Sequence, residues 1–274
     1  MTENRQAEES TTVKASGIEK LSQPENSHIG RTIAVMSGKG GVGKSSVSAL
    51  LAVALTRQGY RVGLLDADIT GPSIPKLFGI RHHAEVIENK IIPSNSRLGI
   101  KVISLNLLLH QEDDPVIWRG PLIGGAVKQF WTDVLWGELD YLVVDLPPGT
   151  GDAPLTVLQS LPLDGLVIVS SPQDLAFMVV KKAIKMARMM KVPIVGLIEN
   201  MSSMVCPHCG EAIEIFGISK AEEVARATGL KLLGRLPLDP ELSRLSDGGA
   251  VEDYPVELFN NITDRFNEMA KKAN

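Results

Sequence analysis

Cysteine is almost absent from this chain: 274 residues hold two, Cys206 and Cys209. A secreted scaffold stapled by disulfides needs more, so the chain is read as belonging to a reducing, cytoplasmic compartment. Aromatic residues are scarce as well, at 4%. Val, Ile, Leu and Ala must therefore build the core, which suits a parallel sheet whose strands are covered on both faces. No apolar run approaches the roughly 20 residues of a membrane span. The opening residues, MTENRQAEESTTVKASG, lack the apolar stretch of a secretory leader. Positive charge is not in excess, since the formal net charge is −4. That leaves no electrostatic footprint for a polyanion, so neither nucleic acid nor a membrane is expected as a partner.

What is present is aliphatic material: 44% of the residues are apolar, enough for a sizeable core. The polar start reads as a disordered tail over residues 1–28, followed by one domain over 29–274. Aliphatic strands are expected at Thr32–Ser37, Arg61–Asp66, Lys101–Leu105, Tyr141–Asp145, Gly165–Ser170, Val192–Ile198 and Lys231–Gly234. Ala212–Phe216 is expected as a further short strand. Helical spacing marks Lys44–Gln58, Leu122–Leu135, Asp174–Met190, Ser219–Thr228 and Val256–Lys271. Gly71–Ile80, with Pro72 and Pro75, reads as a loop, and Arg81–Gly99 has no clear periodicity. Strands alternating with helices predict an α/β fold, a mostly parallel sheet with helices on both faces. The last helix puts Leu258, Phe259, Ile262, Phe266 and Met269 on one side. Its polar face mixes both charges, without the basic bias of a membrane-surface helix, so it is expected to pack on the sheet.

The most specific motif is Gly38-Lys39-Gly40-Gly41-Val42-Gly43-Lys44-Ser45, which fits the phosphate-binding loop pattern G-x-x-x-x-G-K-[ST]. It lies between an aliphatic strand and a helix, where the mechanism requires it. Glycines let backbone N–H groups curl around phosphate oxygens, and the helix N-terminus adds partial positive charge. Lys44 is expected to neutralise the β- and γ-phosphates and Ser45 to ligate Mg²⁺, with Ser46 also in the nucleotide site. This predicts binding of ATP with Mg²⁺. Asp145 ends the strand YLVVD, aimed at the metal from a strand's C-terminal edge. Pro147–Asp152 follows as a rigid turn with glycine hinges, suited to sensing the γ-phosphate. Asp66 and Asp68 end the second strand, and one of them is placed to orient or deprotonate an attacking water.

Cys206-Pro207-His208-Cys209-Gly210 has three readings from its residues alone. It is a dithiol redox site, half of a four-cysteine site for zinc or an iron–sulfur cluster, or a pair of inert loop cysteines. Two ligands do not satisfy such a metal site, so the second reading requires a second chain.

Taken together, SGKGGVGKSS, LLDADITGPSIPKLFG, VVDLPPGTGD, IENMS and CPHCG resemble, in order, the Mrp/ApbC group of deviant Walker A ATPases. These are iron–sulfur cluster carriers related to MinD, ParA and the nitrogenase iron protein. The resemblance covers roughly Arg31 to the C-terminus and implies a MinD-like P-loop fold of the SIMIBI class. It implies a homodimer, slow dimer-dependent ATP hydrolysis, and apo iron–sulfur proteins as clients. Position by position, Lys39 resembles the signature lysine that reaches the partner subunit's phosphates. Asp68 resembles the aspartate that activates water, and Asp145 the magnesium aspartate. Asn200 resembles the residue that reads the adenine edge, and Pro237 and Leu238 the loop beside the base. Cys206 and Cys209 resemble the pair that holds a 4Fe-4S cluster across the dimer interface. A MinD/ParA-like spatial regulator and an iron-protein-like reductase are the alternatives. A surface cycler needs no cysteine pair, which separates the first of these from a carrier.

Overall fold

A computed structural model describes residues 21–22, 26–68, 71, 73–108, 120–173 and 177–272. In chain order its elements are β1 (His28–Ser37), α1 (Lys44–Arg57), β2 (Val62–Asp66), α2 (Ile74–Leu77), β3 (Glu85–Ile87), β4 (Lys90–Ile92), β5 (Ser94–Asn95), β6 (Lys101–Ser104), α3 (Gly120–Thr132), β7 (Glu138–Asp145), α4 (Asp152–Ser160), β8 (Gly165–Ser170), α5 (Phe177–Met189), β9 (Ile194–Glu199), β10 (Met204–Val205), β11 (Ala212–Ile213), α6 (Ala221–Thr228), β12 (Leu232–Arg235), α7 (Pro240–Asp247) and α8 (Asn260–Lys272). The main sheet runs β12-β9-β8-β1-β7-β2-β6-β5. All its pairings are parallel except the edge strand β5 on β6.

Side chains alternate across a strand, and here that alternation splits the aliphatic runs between two cores. Ala34 and Met36 of β1, with Leu142 and Val144 of β7, face a core completed by Phe130 and Trp131 of α3, Val157 of α4 and Ala183 of α5. Ile33 and Val35, with Tyr141 and Val143, face the opposite core, closed by α1, Leu245 of α7 and Ile262 and Phe266 of α8. Parallel strands joined by helices need both faces covered, which explains why β2 and β8 are buried at every position. Phe259, Ile262 and Phe266 of the expected apolar side pack on the sheet, whereas Leu258 is 53% exposed and the side chain of Met269 lies outside the described residues. Among the described residues, no helix is long and apolar enough to cross a membrane.

Several elements depart from the sequence reading. Strand β1 starts at His28, four residues before the expected Thr32. His28 N donates to Gly137 O at 2.8 Å, Gly137 N to Ser27 Oγ at 3.1 Å, and Trp131 Nε1 to Ser22 O at 2.8 Å. Ser22, Ser27 and His28 thus pack on the domain, although they fall within the stretch read as a tail. Residues 1–20 and 23–25 of that stretch lie outside the described residues. Helix α3 stops at Thr132 because Val134 bridges to Ile91 and Leu135 N donates to Ile91 O at 2.9 Å. Lateral pairing replaces the last helical turn expected there. The expected loop at 71–80 contains the one-turn helix α2, with Pro75 in its first turn, a position proline tolerates. The stretch 81–99 forms the hairpin β3–β4 and the edge strand β5. Of the expected helix Asp174–Met190, residues 174–176 lie outside the described residues.

Candidate nucleotide site and cysteine turn

The chain enters the site at the C-terminal end of β1, between β7 and β8. Successive strands move to opposite sides there, and such a switch point opens a crevice at the strand ends. The glycine loop fills it. Gly41 and Gly43 have φ of +81° and +75°, a left-handed region costly for residues with a Cβ. A Cβ on Gly43 would also lie 2.3 Å from Asn200 Nδ2. Asn200 uses that space to donate its amide to Val42 O at 2.9 Å. The residue expected to read a base thus touches the phosphate loop directly. The loop is further tied down by Ser37 Oγ donating to Lys39 O at 2.8 Å and Gly149 N donating to Ser37 O at 3.0 Å. Lys39 itself is exposed at the rim.

Parallel register sets Asp66 beside Asp145 on neighbouring strands, with Ala67 N donating to Asp145 O at 2.9 Å. Lys44 Nζ lies 2.8 Å from Asp145 Oδ2 and 3.8 Å from Asp68 Oδ2. Ser45 Oγ donates to Asp145 Oδ2 at 2.6 Å. The other oxygen, Oδ1, accepts from Ser48 Oγ at 2.6 Å. The sequence reading missed Ser48: a serine one turn into an aliphatic helix carries no motif, and only its complete burial marks it.

Asp66 is engaged differently. It accepts from Asp68 N at 3.1 Å, Ser73 N at 3.1 Å, Ile74 N at 3.2 Å and Ser104 Oγ at 3.2 Å. It thereby gathers the start of α2 onto β2. Burial, then the charge of Asp145, push its carboxyl up to about 7, against the opposing pull of Lys44. Lys44, Asp66, Asp68 and Asp145 are all at least nine-tenths buried. Three carboxylates against one ammonium leave a local excess of negative charge that a divalent cation would offset. Among the described residues, no three His, Cys, Asp or Glu side chains converge on one point. Ser45 and Asp145 beside a phosphate cradle are the sparse donor set from which Mg²⁺ is held with substrate phosphates and water.

Behind the glycine loop, Ser46, Val47, Leu50, Asn200, Pro237 and Tyr254 line part of a narrow cleft with a free volume of only about 10 Å³, roughly the space of one water. Its walls are mostly apolar with a few polar groups, the kind of lining a planar base takes, but the cleft as it stands is too tight to hold one. Pro237 lines it. Leu238 does not, and instead its N–H donates to Ser203 O at 2.7 Å.

Cys206 and Cys209 sit on the turn joining β10 to β11, with Cys206 half-buried and Cys209 exposed. Cys206 N donates to Glu211 O at 2.8 Å and Gly210 N to Cys206 O at 2.9 Å, with Gly210 at φ +77°. The backbone N–H groups of Cys209 and His208 aim at the Cys206 sulfur, and with the Cys209 thiol they hold the Cys206 thiol below its usual pKa. The hairpin is rooted in the nucleotide cleft. Ser202 N donates to Leu236 O at 2.9 Å, and at the far end Ser219 Oγ donates to the buried carboxylate of Glu199, next to Asn200.

A central β1 that runs into a glycine loop and helix, with an acidic strand end beside its lysine, makes this protein a P-loop nucleoside triphosphatase. The profile of the NUBPL iron-transfer P-loop NTPases, within the ParA group, matches residues 28–273, and the chain belongs to that family. An iron-sulfur cluster carrier protein of Clostridium perfringens is 48% identical over 238 residues, 84% of each chain. One from Methanocaldococcus jannaschii is 49% identical over 249 residues, 90% of this chain and 84% of that one. A nucleotide-binding protein from Archaeoglobus fulgidus, solved in complex with ADP, superposes with a TM-score of 0.77 at 50% identity. The match covers 85% of this chain and 91% of that one. The cell division ATPase MinD of Pyrococcus furiosus superposes with a TM-score of 0.60 at 21% identity over 88% and 99% of the two chains, a likeness of fold.

Proposed function

We propose that this chain is an ATP-hydrolysing carrier that holds a 4Fe-4S cluster between two copies of itself and delivers it to apo iron–sulfur proteins. The observation that carries the reading is the exposed dithiol turn of Cys206 and Cys209, mounted on a hairpin rooted in a nucleotide cleft. A four-iron cluster commonly takes four thiolates. A twofold axis supplies the missing pair by presenting the same turn from each subunit. The donors that lower the Cys206 pKa favour the thiolate form that a ligand needs.

In this reading Lys44 and the loop N–H groups bind the triphosphate of ATP. Ser45 and Asp145 hold Mg²⁺, which when bound neutralises charge on the β- and γ-phosphates. Asp68 orients the attacking water. Lys39, exposed at the rim, reaches the partner subunit's phosphates, so hydrolysis is slow and depends on the dimer. Closure of the dimer on ATP changes the spacing of the two cysteine turns, and the cluster is their cargo.

The test is anaerobic reconstitution followed by iron and sulfide analysis. About four iron and four sulfide per dimer are expected, lost in Cys206→Ala and Cys209→Ala while ATP binding persists. Lys44→Ala should do the reverse, losing ATP and keeping the cluster. A cluster that survives either cysteine substitution, or that binds at full stoichiometry to a monomer, sinks the reading.

A further inference from the structure

Helix α5 concentrates charge in a way the nucleotide site and the cysteine turn do not use. From Phe177 to Ile198 there is no Asp or Glu, while Lys181, Lys182, Lys185, Arg188 and Lys191 are all exposed. The whole chain is net negative, so this basic stretch runs against its composition. Lys181, Lys185 and Arg188 fall at helical spacing on one stripe. With Ile184, Met189, Ala227 and Thr228 they line a groove of about 580 Å³ between α5 and α6.

Two further observations bear on this groove. Arg61, Arg97, Arg235, Arg244 and Arg265 each lie against a carboxylate. Among the described residues, neither Lys185 nor Arg188 has an ion-pair partner. The stripe is also flanked by methionines left in water: Met178 is 66% and Met189 64% exposed. Methionine adapts to varied partner surfaces, and exposed methionines beside basic residues form a face for amphipathic ligands.

We propose that the α5–α6 groove is a docking site for an acidic, amphipathic segment of another protein. Its carboxylates would pair with Lys185 and Arg188, and its apolar residues would cover Met189, which is 64% exposed, above the buried Ile184. A concave slot between two helices accepts a single peptide strand or helix, about 10–12 Å across. A duplex or a bilayer would need a broader basic surface than this slot between two helices offers. The groove lies at the C-terminal ends of α5 and α6, helices that run back from the sheet edge bearing the glycine loop. A partner held there leaves the ATP cleft and the cysteine turn uncovered. The site stands independently of the cluster-carrier reading.

The experiment uses the full chain and a fluorescent peptide of repeated Glu-Leu-Leu-Glu blocks, read by anisotropy. The variant is Lys185→Glu/Arg188→Glu, two exposed positions outside the nucleotide machinery, with ATP binding as the check on folding. Saturable peptide binding is expected, weakened about tenfold or more in the variant. It should also weaken as salt rises from about 50 to about 300 mM, because screening shortens the reach of charge. It should persist in Cys206→Ala, which separates this site from the cluster. Absence of binding, or equal binding by the variant, overturns the proposal. So does tighter capture of phosphatidylserine vesicles or duplex DNA through the same two residues.

Discussion

Ser48, one turn into α1, donates a 2.6 Å hydrogen bond to Oδ1 of Asp145. Ser45 holds the other oxygen, so the carboxylate is gripped from both sides by one helix. This fixes its plane against Lys44 before any ligand arrives. Replacing Ser48 with Ala leaves a fully buried charged oxygen without its donor. Such a loss costs about 1–3 kcal/mol. Ser48→Ala should therefore lower stability by that amount in urea titrations and weaken ATP binding at limiting Mg²⁺. Unchanged values for both would mean that the grip on Asp145 is redundant.

Gly43 has a double requirement. Its φ of +75° disfavours a side chain, and a Cβ there would lie 2.3 Å from Asn200 Nδ2. Gly43→Ala must strain the loop and expel the Asn200 amide from Val42 O. A left-handed residue with a Cβ costs about 1–2 kcal/mol, and the clash adds to it. Loss of ATP affinity with a lowered unfolding midpoint is expected. Gly41→Ala provides the contrast, since its Cβ would meet nothing within 4 Å. It should carry the backbone cost alone, and equal losses in the two variants would refute a specific role for the Asn200 contact.

Asp66 gives the fold a pH dependence of unusual sign. Its carboxyl is raised from 3.8 to about 7 by burial and by Asp145. The folded state therefore holds a proton that the unfolded state releases near pH 4. Its contribution is full below the unfolded value and is lost as pH rises through about 7. The slope from this one group reaches up to about 1.4 kcal/mol per pH unit. Asp66→Asn should remove that slope between about pH 5 and 7 in urea titrations run with chelator. Parallel stability curves for the two proteins would place the proton elsewhere.

The parallel frame was legible because its strands are aliphatic runs with no competing signal, as in Leu142–Asp145 and Leu166–Ser170. The loop lysine, serine and strand-end aspartate were legible because phosphate chemistry fixes their spacing. Other parts carry weak local signals. Val86 and Ile87 of β3 are exposed, so no buried periodicity marks the β3–β4 hairpin. Helix α7 did have a start signal: Asp239 accepts from Glu241 N, and Pro240 holds the first helical position. That pairing is characteristic of helix N-termini, but the segment reads first as a loop beside a base. The role of Asp66 depends on backbone donors seven and eight residues away, which only the folded turn brings together.

The anchoring of the cysteine hairpin yields the last prediction. Glu199 is fully buried at the end of β9, and Ser219 Oγ lies 2.8 and 2.7 Å from its two oxygens. Arg235 Nε is farther, at 3.4 Å. Burial already pushes the Glu199 carboxyl upward, and Ser219 and Arg235 oppose that. Ser219 Oγ also accepts from Ala221 N at 3.2 Å, where α6 begins. One hydroxyl thus closes the segment carrying Cys206 and Cys209 and opens the next helix. The other end of that segment is held by backbone bonds at Ser202 and Ser203. Ser219→Ala should free the far end while leaving Asn200 on the phosphate loop. A hydrogen bond to a charged group contributes about 1.5–3 kcal/mol. In a domain of this size each kcal/mol corresponds to about 2–4 °C in Tm. A fall of about 3–12 °C is expected, with faster proteolysis between Glu211 and Ile218 and unchanged ATP affinity. Ser219→Thr keeps the hydroxyl and should restore most of the protection. If Ser219→Ala is cleaved no faster than the parent protein, the hairpin is held by something other than Glu199.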